Sequence, residues 1–471
     1  MSKSKTEEKE DAVVAFAANL ANIGYEDIPA EVAEVTKMSI LDAMGVSLAV
    51  SSMVPSCKSL AELVKEMGGK KESTIIGYGG KVPCHMAAFV NATLAHALNY
   101  EDHHVSIKVG CTVFPAAFAT AERVGAVTGK EFITAYALSM DLECRLARAI
   151  WLVEKPCDWI VYGWVLVQMF GYFGAAAAAG RLLRLDENQL VNAFGLAYSQ
   201  VAGSQQVFME GGDKAIFPAF PASAGVISAL MAQKSIAGPQ ESLEGKAGLY
   251  KLYFQGEYDS ASLTRDLGKS FQTVGFQQFP CCVFTHTPIE LALRMAKEYK
   301  IRPQDIDTIT VFGGDKIRNL CQPLEIRRNP RTMSEAQFSI PFTVATAIAK
   351  GKPRIEHFTS DGIKDPEILY LSNRVSSQLD LEFEPQSGTG VQPAKIEIKL
   401  TDGRILRSEQ RDLRYGHPQR PISKGELIEK FRDCASHSVR PLPNKSIEKV
   451  IEMVTNLEEI DDVSKIIRLV S

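Results

Sequence analysis

Through the first 255 positions the apolar residues recur at helical spacing. Val32, Val35, Met38, Leu41, Met44 and Leu48 follow one another by three or four residues, and Pro29 stands where a first turn tolerates proline. Asp186, with Gln189 three residues on, has the form of a capping box, so a helix is expected over residues 190–200. Residues 160–180 carry Gln168 as their only strongly polar side chain, a run long enough to span a bilayer. The same run holds Gly163, Gly171, Gly174, Gly180 and the alanines at 175–179. Small residues of this kind suit close helix packing, so a buried central helix and no membrane span are expected. Helices apolar on several faces must bury one another, which predicts a large helical domain over residues 1–270.

The period changes after residue 270. Residues 306–312 are rich in β-branched side chains, and residues 395–400 alternate charged with apolar before meeting Asp402-Gly403. That pair predicts a hairpin with a type I′ turn. Helical sequence lies between, at 334–350, so a smaller α+β domain is expected over 271–410. Helical spacing returns at 424–470, and the 411–471 tail is expected to pack back on the first domain. The fold class is therefore mainly α, with a large all-helical domain and a smaller α+β lid.

Composition narrows the function. The 471 residues hold 52 Lys+Arg against 56 Asp+Glu, a net charge of −4 with no basic block, which argues against nucleic acid as partner. At 45% hydrophobic residues the chain is not a disordered one. Nine cysteines, with no C-x-x-C pair and an unbridgeable Cys281-Cys282 neighbour pair, predict a reducing, cytoplasmic setting. Residues 1–11 mix charges of both signs and lack an apolar core, so a frayed tail is expected there and not a secretory signal.

The densest run of reactive side chains is Asn99-Tyr100-Glu101-Asp102-His103-His104. If helix continues through it, Asn99 and His103 share one face and Tyr100 and His104 the next. Histidine is suited to proton transfer near neutral pH, so an acid/base site is one reading. A solvated helix end is the other, and spacing alone favours it. Adjacent histidines do not match metal-ligand spacings, so no metal is expected. Gly211-Gly212-Asp213-Lys214 reads as a turn before a helix. His96 lies in an apolar run and reads as a satisfied core histidine.

In their order along the chain, these landmarks form a pattern. Ile40-Leu41-Asp42-Ala43-Met44-Gly45, the stretch 89–98 (FVNATLAHAL), 173–183 (FGAAAAAGRLL), Leu243-Glu244-Gly245, Phe279-Pro280-Cys281-Cys282 with Thr285-His286, Ala336-Gln337-Phe338-Ser339 and Gly416-His417-Pro418 resemble the MmgE/PrpD family nearly end to end. The resemblance implies a helical domain with an α+β lid, a homodimer without organic cofactor, and a site for small di- or tricarboxylic acids. The family's site residues carry over only in part. An aspartate becomes Asn99, a threonine falls on His103, and a His-Pro-Ser motif lies nearest to Lys108, Val109 and Gly110. Two histidines become Val165 and Phe217, and a lid lysine becomes Gln277, while Lys214 matches. Replacing carboxylate partners with apolar side chains disfavours a tricarboxylate, because a desolvated carboxylate needs a partner.

The expected function is a cofactor-independent lyase, of dehydratase, hydratase or decarboxylase type. It would transfer a proton next to a carboxylate or ketone of a less charged, more apolar organic acid or ketone. His103, Lys108, Asn99 and Lys214 are the expected catalytic residues. His104, Asp102, Val165, Phe217, Gln277, Cys282 and His286 are expected to contact substrate. An isomerase or epimerase of the same fold, or a non-catalytic binding or partner subunit, is the alternative.

Overall fold

Caps in the sequence set where the helices begin. The computed structural model describes residues 10–104, 107–152, 163–210, 213–384 and 391–471. Asp11 opens α1 (Ala12–Asn22) by accepting from Val13 N, and its other oxygen accepts the amides of Leu243 and Glu244. Asp11 is thus a buried cap and no part of a frayed tail; residues 1–9 of the expected tail lie outside the described residues. Pro29 is the residue before α2 (Ala30–Met53), which is buried on all sides over residues 36–51. A helix apolar all round belongs in the interior. Against it pack α3 (Pro55–Met67), α4 (Cys84–His96), α5 (Gly110–Val124) and α6 (Gly129–Ala149), while α7 (Leu166–Leu182), α8 (Glu187–Tyr198) and α9 (Ala219–Gln233) pack on one another and on α4, α5 and α6. The Asp186/Gln189 capping box forms as expected, though its helix starts at Glu187 and ends at Tyr198.

The expected central helix is α7, buried along its length except at Arg181 and running on past residue 180 to Leu182. Residues 160–162 of that reading lie outside the described residues. Its small side chains let neighbouring backbones approach. A Cβ at Gly225 of α9 would lie 2.5 Å from Ala176 N, and one at Gly171 2.5 Å from Thr112 Cγ2. By length and composition the stretch Lys214–Gln233 could cross a bilayer, yet 67% of its apolar window is buried inside the protein.

The chain divides into two units. The first comprises Met1–Ala97, Glu101–Val274 and Lys424–Ser471; the second comprises Leu98–Tyr100 and Gly275–Ser423. The second unit holds a four-stranded sheet in the order β4-β3-β5-β6, after a two-stranded β1 (Ser73–Thr74) and β2 (Lys81–Val82) in the first. β3 (Ile306–Gly313) pairs parallel with β4 (Val375–Leu379) and antiparallel with β5 (Ala394–Leu400), which pairs antiparallel with β6 (Ile405–Gln410). Helices α10 (His286–Tyr299) and α11 (Ile340–Lys350) share the sheet's apolar core.

Two expectations need correction here. The β5–β6 turn is not type I′, since only Gly403, at φ 91°, is left-handed. Leu400 O accepts from Gly403 N while Leu400 N donates to Arg404 O, which is the three-residue loop with glycine at the bulge. The second unit also runs past residue 410 to Ser423, because Phe276 N donates to Gly416 O and Tyr415 N to Glu290 Oε1.

The tail returns to the first unit through α12 (Lys424–Ser436) and α13 (Asn444–Thr455). Lys430 reaches Asp42 of α2 at 2.6 Å, with both side chains buried. A Cβ at Gly45 would touch the Phe431 ring at 3.0 Å. Backbone bonds from Gly129 N to Ile460 O and from Gly77 N to Val470 O fasten the last residues.

Candidate active site

α4 does not continue into the polar cluster. It ends at His96, and Asn99 takes a left-handed φ of 51°, a conformation asparagine tolerates better than most residues. The Asn99/His103 and Tyr100/His104 faces expected for a continuous helix therefore do not form. Residues 98–100 group with the second unit, where Gln337 Nε2 donates to Leu98 O at 2.7 Å and the Tyr100 hydroxyl to Gln278 O at 3.5 Å. At Glu101 the chain is again part of the first unit.

Ending the helix there lets Glu101 fold back on His96. Glu101 Oε1 lies 2.6 Å from His96 Nδ1 and 3.0 Å from Lys108 Nζ. The carboxylate is wholly buried, while the His96 and Lys108 side chains are 11% and 16% exposed, so the two basic groups lie nearer solvent. Burial by itself raises the Glu101 carboxyl, but the Lys108 ammonium and the His96 ring outweigh it and bring it down to about 2. Glu101 is thus a carboxylate that engages His96 at Nδ1, which leaves Nε2 as the ring nitrogen turned away from it.

An apolar wall adjoins this group. Cys111, Ala95, Val165, Val167 and Phe217 form one buried cluster, with Val207 packed on it. The Cys111 Sγ lies within 4.8 Å of the His96 and Glu101 ligand atoms, so the wall and the charged group meet at Cys111. Those three residues have the donor types of a metal site. Their surroundings do not fit a divalent cation: Lys108 already occupies Glu101 Oε1, and burial holds Cys111 as a neutral thiol donating to Lys108 O at 3.0 Å.

Asp102 faces the other way. Its Oδ1 accepts from Gly110 N at 2.8 Å, and its Oδ2 accepts from the Ser39 hydroxyl, which lies 2.8 Å from the Tyr136 hydroxyl. Burial raises its carboxyl, with the Asp42 charge adding to the effect and the Ser39 and Gly110 bonds opposing it, to about 7. Glu143 of α6 is raised well above the carboxylate range by burial and accepts from Thr112 Oγ1 at 2.9 Å. Gly174 makes room for it, since a Cβ there would lie 2.1 Å from Glu143 Oε2.

The other expected residues are distributed as follows. His103 and His104 are buried, and His104 closes a small bridge with Ile107 and bonds Thr273 O through Nδ1 at 2.8 Å. Lys214 opens a 3-10 turn capped by Asp213 and leading to Phe217; Gly211 and Gly212 lie outside the described residues. Gln277, Cys282 and His286 belong to the second unit and are buried, His286 with its ring against the Phe279 edge. Lys108, Val165 and Phe217 are therefore gathered around Cys111 in the first unit, whereas Asn99, Gln277, Cys282 and His286 fall in the second. The pairing of His96 with Glu101 is what sequence reasoning missed. His96 is a satisfied histidine as read, but its partner is a buried carboxylate shared with Lys108, and the available signal was Asn99, a helix-ending residue that brings Glu101 back toward it.

Family models match most of the chain. Residues 14–261 match the MmgE/PrpD N-terminal domain and residues 279–458 the MmgE/PrpD C-terminal domain. A cis-aconitate decarboxylase-like protein of Aspergillus oryzae is 25% identical, over 94% of this chain and 94% of its own. The cis-aconitate decarboxylase of Aspergillus terreus is 24% identical over 96% of this chain and 94% of its own. The human cis-aconitate decarboxylase is 24% identical over 95% and 92%.

Proposed function

The chain belongs to the MmgE/PrpD family, and from that membership we propose that it is a lyase acting by proton transfer beside a carboxylate or ketone. The relatives named as decarboxylases favour loss of CO2 over loss of water. The observation that carries the reading is the His96–Glu101–Lys108 group, in which one carboxylate orients an imidazole and pairs an ammonium. In the proposed reaction the bond to the departing carboxylate breaks and its electron pair passes into the neighbouring carbonyl as an enolate. A proton taken up from water at His96 Nε2 then passes to the carbon, leaving the ring neutral, and in the reverse sense the neutral Nε2 removes one. Lys108 faces the developing negative charge, since a preorganised cation lowers such a barrier. This places the acid/base role on His96 in preference to His103.

The substrate class follows from charge and surface. Glu101 already balances Lys108, so the group has little positive charge left for several carboxylates. Val165, Val167 and Phe217 offer an apolar wall beside it. A substrate with one or two carboxylates and an apolar body fits better than a tricarboxylate, because each unpaired buried carboxylate is costly. A cytoplasmic homodimer without cofactor accompanies this reading, as does a small organic acid or ketone as the partner. The His–Glu–Lys group, paired and preorganised, favours catalysis over a binding protein with a decayed site.

Proton exchange in deuterated water tests this. A panel of alkyl-substituted mono- and dicarboxylic acids and 3-oxo acids is followed by NMR with wild type, His96→Ala and His103→Ala. Exchange or CO2 release with wild type, reduced about 10²- to 10⁴-fold in His96→Ala and not in His103→Ala, supports the assignment. Loss in His103→Ala alone would return the role to His103. No reaction with any compound would favour the binding-protein reading.

A further inference from the structure

The α4–α5 connection must bring Glu101 onto His96 and Lys108 onto Glu101, yet its described residues lie outside any helix. Glu101 and Asp102 are adjacent and their side chains go to different places. Glu101 turns to His96, and Asp102 turns to Ser39 of α2 and to the amide that begins α5. The second set of contacts is complete without any ligand. Tyr136 of α6 donates to Ser39, Ser39 donates to Asp102 Oδ2, and Gly110 N donates to Oδ1, so three helices meet at one side chain. The fit is tight at its edge: a Cβ at Gly110 would lie 2.8 Å from Oδ2 and 3.0 Å from Oδ1. Lys108 is two residues before that glycine, and its carbonyl is held by Cys111.

We propose that Asp102 is a positioning residue and not a substrate ligand: its carboxyl ties the connection to α2 and α5 at the one register that puts Glu101 on His96 and Lys108 on Glu101. The charged groups around it are Asp42 of α2, paired with Lys430 of α12, and Glu101 of the connection, itself paired with Lys108; the Asp102 charge in turn helps hold Glu143 of α6 protonated. None of them donates a hydrogen bond to Asp102. The tie therefore depends on the shape and hydrogen bonds of the carboxyl, which an amide reproduces: its oxygen accepts from Gly110 N, and its nitrogen donates to Ser39. The inference rests on reading His96, Glu101 and Lys108 as the reacting group, and its effect on catalysis would pass through them.

Nitrogen-15 NMR of the histidine rings in the whole protein tests it without a substrate. His96 is assigned by the signal missing from His96→Gln. In wild type, His96 is expected as the Nδ1–H form with a slowly exchanging proton. Asp102→Asn is expected to keep that form. In Asp102→Ala the Nδ1 proton should exchange at least about tenfold faster, as loss of one hydrogen bond implies. An unchanged His96 signal in folded Asp102→Ala would overturn the proposal, and so would an Asp102→Asn protein that behaves like the alanine variant. Should Asp102→Ala not fold, Ser39→Ala removes one arm of the tie and is read the same way, an unchanged signal again being the negative. Because no turnover is measured, failure of this test and failure of the lyase reading are separable.

Discussion

Two neighbouring carboxyl groups, Glu101 and Asp102, are driven in opposite directions by what each one faces. Glu101 meets two basic side chains and comes down to about 2, while Asp102 meets hydroxyls and an amide in a buried setting and goes up to about 7. Asp102 binds its proton more tightly in the folded chain than in the unfolded one. Its contribution to stability is complete below about pH 3.8 and is lost as pH rises through about 7. Asp102→Asn removes that loss. Relative to wild type, the variant should gain stability between pH 5 and 8, by up to about 4 kcal/mol. Urea melts of both proteins across that range measure the difference, and parallel curves would refute it. At this scale the sequence was only partly legible. Lys108, Val165 and Phe217 could be singled out from the chain, because their chemistry departs from a pattern visible in one dimension. His96 could not, because its partner stands five residues away across a helix end, and only the backbone at Asn99 decides that they meet.

Among the elements, those with a local signal were the legible ones. Asp186 and Gln189 cap α8 as their spacing predicts, since a capping box needs nothing beyond four residues. The Asp402-Gly403 hairpin forms between the expected strands, yet its loop has one residue more, a choice that belongs to the twist and pairing of β5 with β6. The α7 helix was recognisable by its glycines and alanines, and the structure gives the reason: Gly225 of α9 rests against the α7 backbone. Gly225→Ala would bring a Cβ within 2.5 Å of Ala176 N, which a main chain cannot easily yield. A loss of about 1–3 kcal/mol is expected from such overpacking. Denaturant unfolding checks it, and a loss below about 0.5 kcal/mol would show that the two helices separate more freely than the geometry implies.

Over the whole molecule, the first unit is built from distant stretches of sequence, and its last helices complete its interior. Lys430 neutralises Asp42 inside that unit, so Lys430→Met should leave a buried carboxylate unpaired and cost about 3–5 kcal/mol. Adding Asp42→Leu to the same chain should restore much of the loss, and thermal melts of the two variants distinguish a pair from a single misfit. The sequence announced the tail's return by helical spacing alone; that its lysine meets Asp42 across nearly 400 positions is a property of packing. The order of synthesis gives this arrangement a further meaning. When residue 274 has been made, α2 is present but the residues that cover it are not, and residues 275–423 must be translated before α12 begins. At about 5–20 residues per second that interval is about 7–30 s. Throughout it, Asp42 has no lysine and Gly45 has no Phe431, so the nascent first unit waits on the ribosome with its interior unfinished.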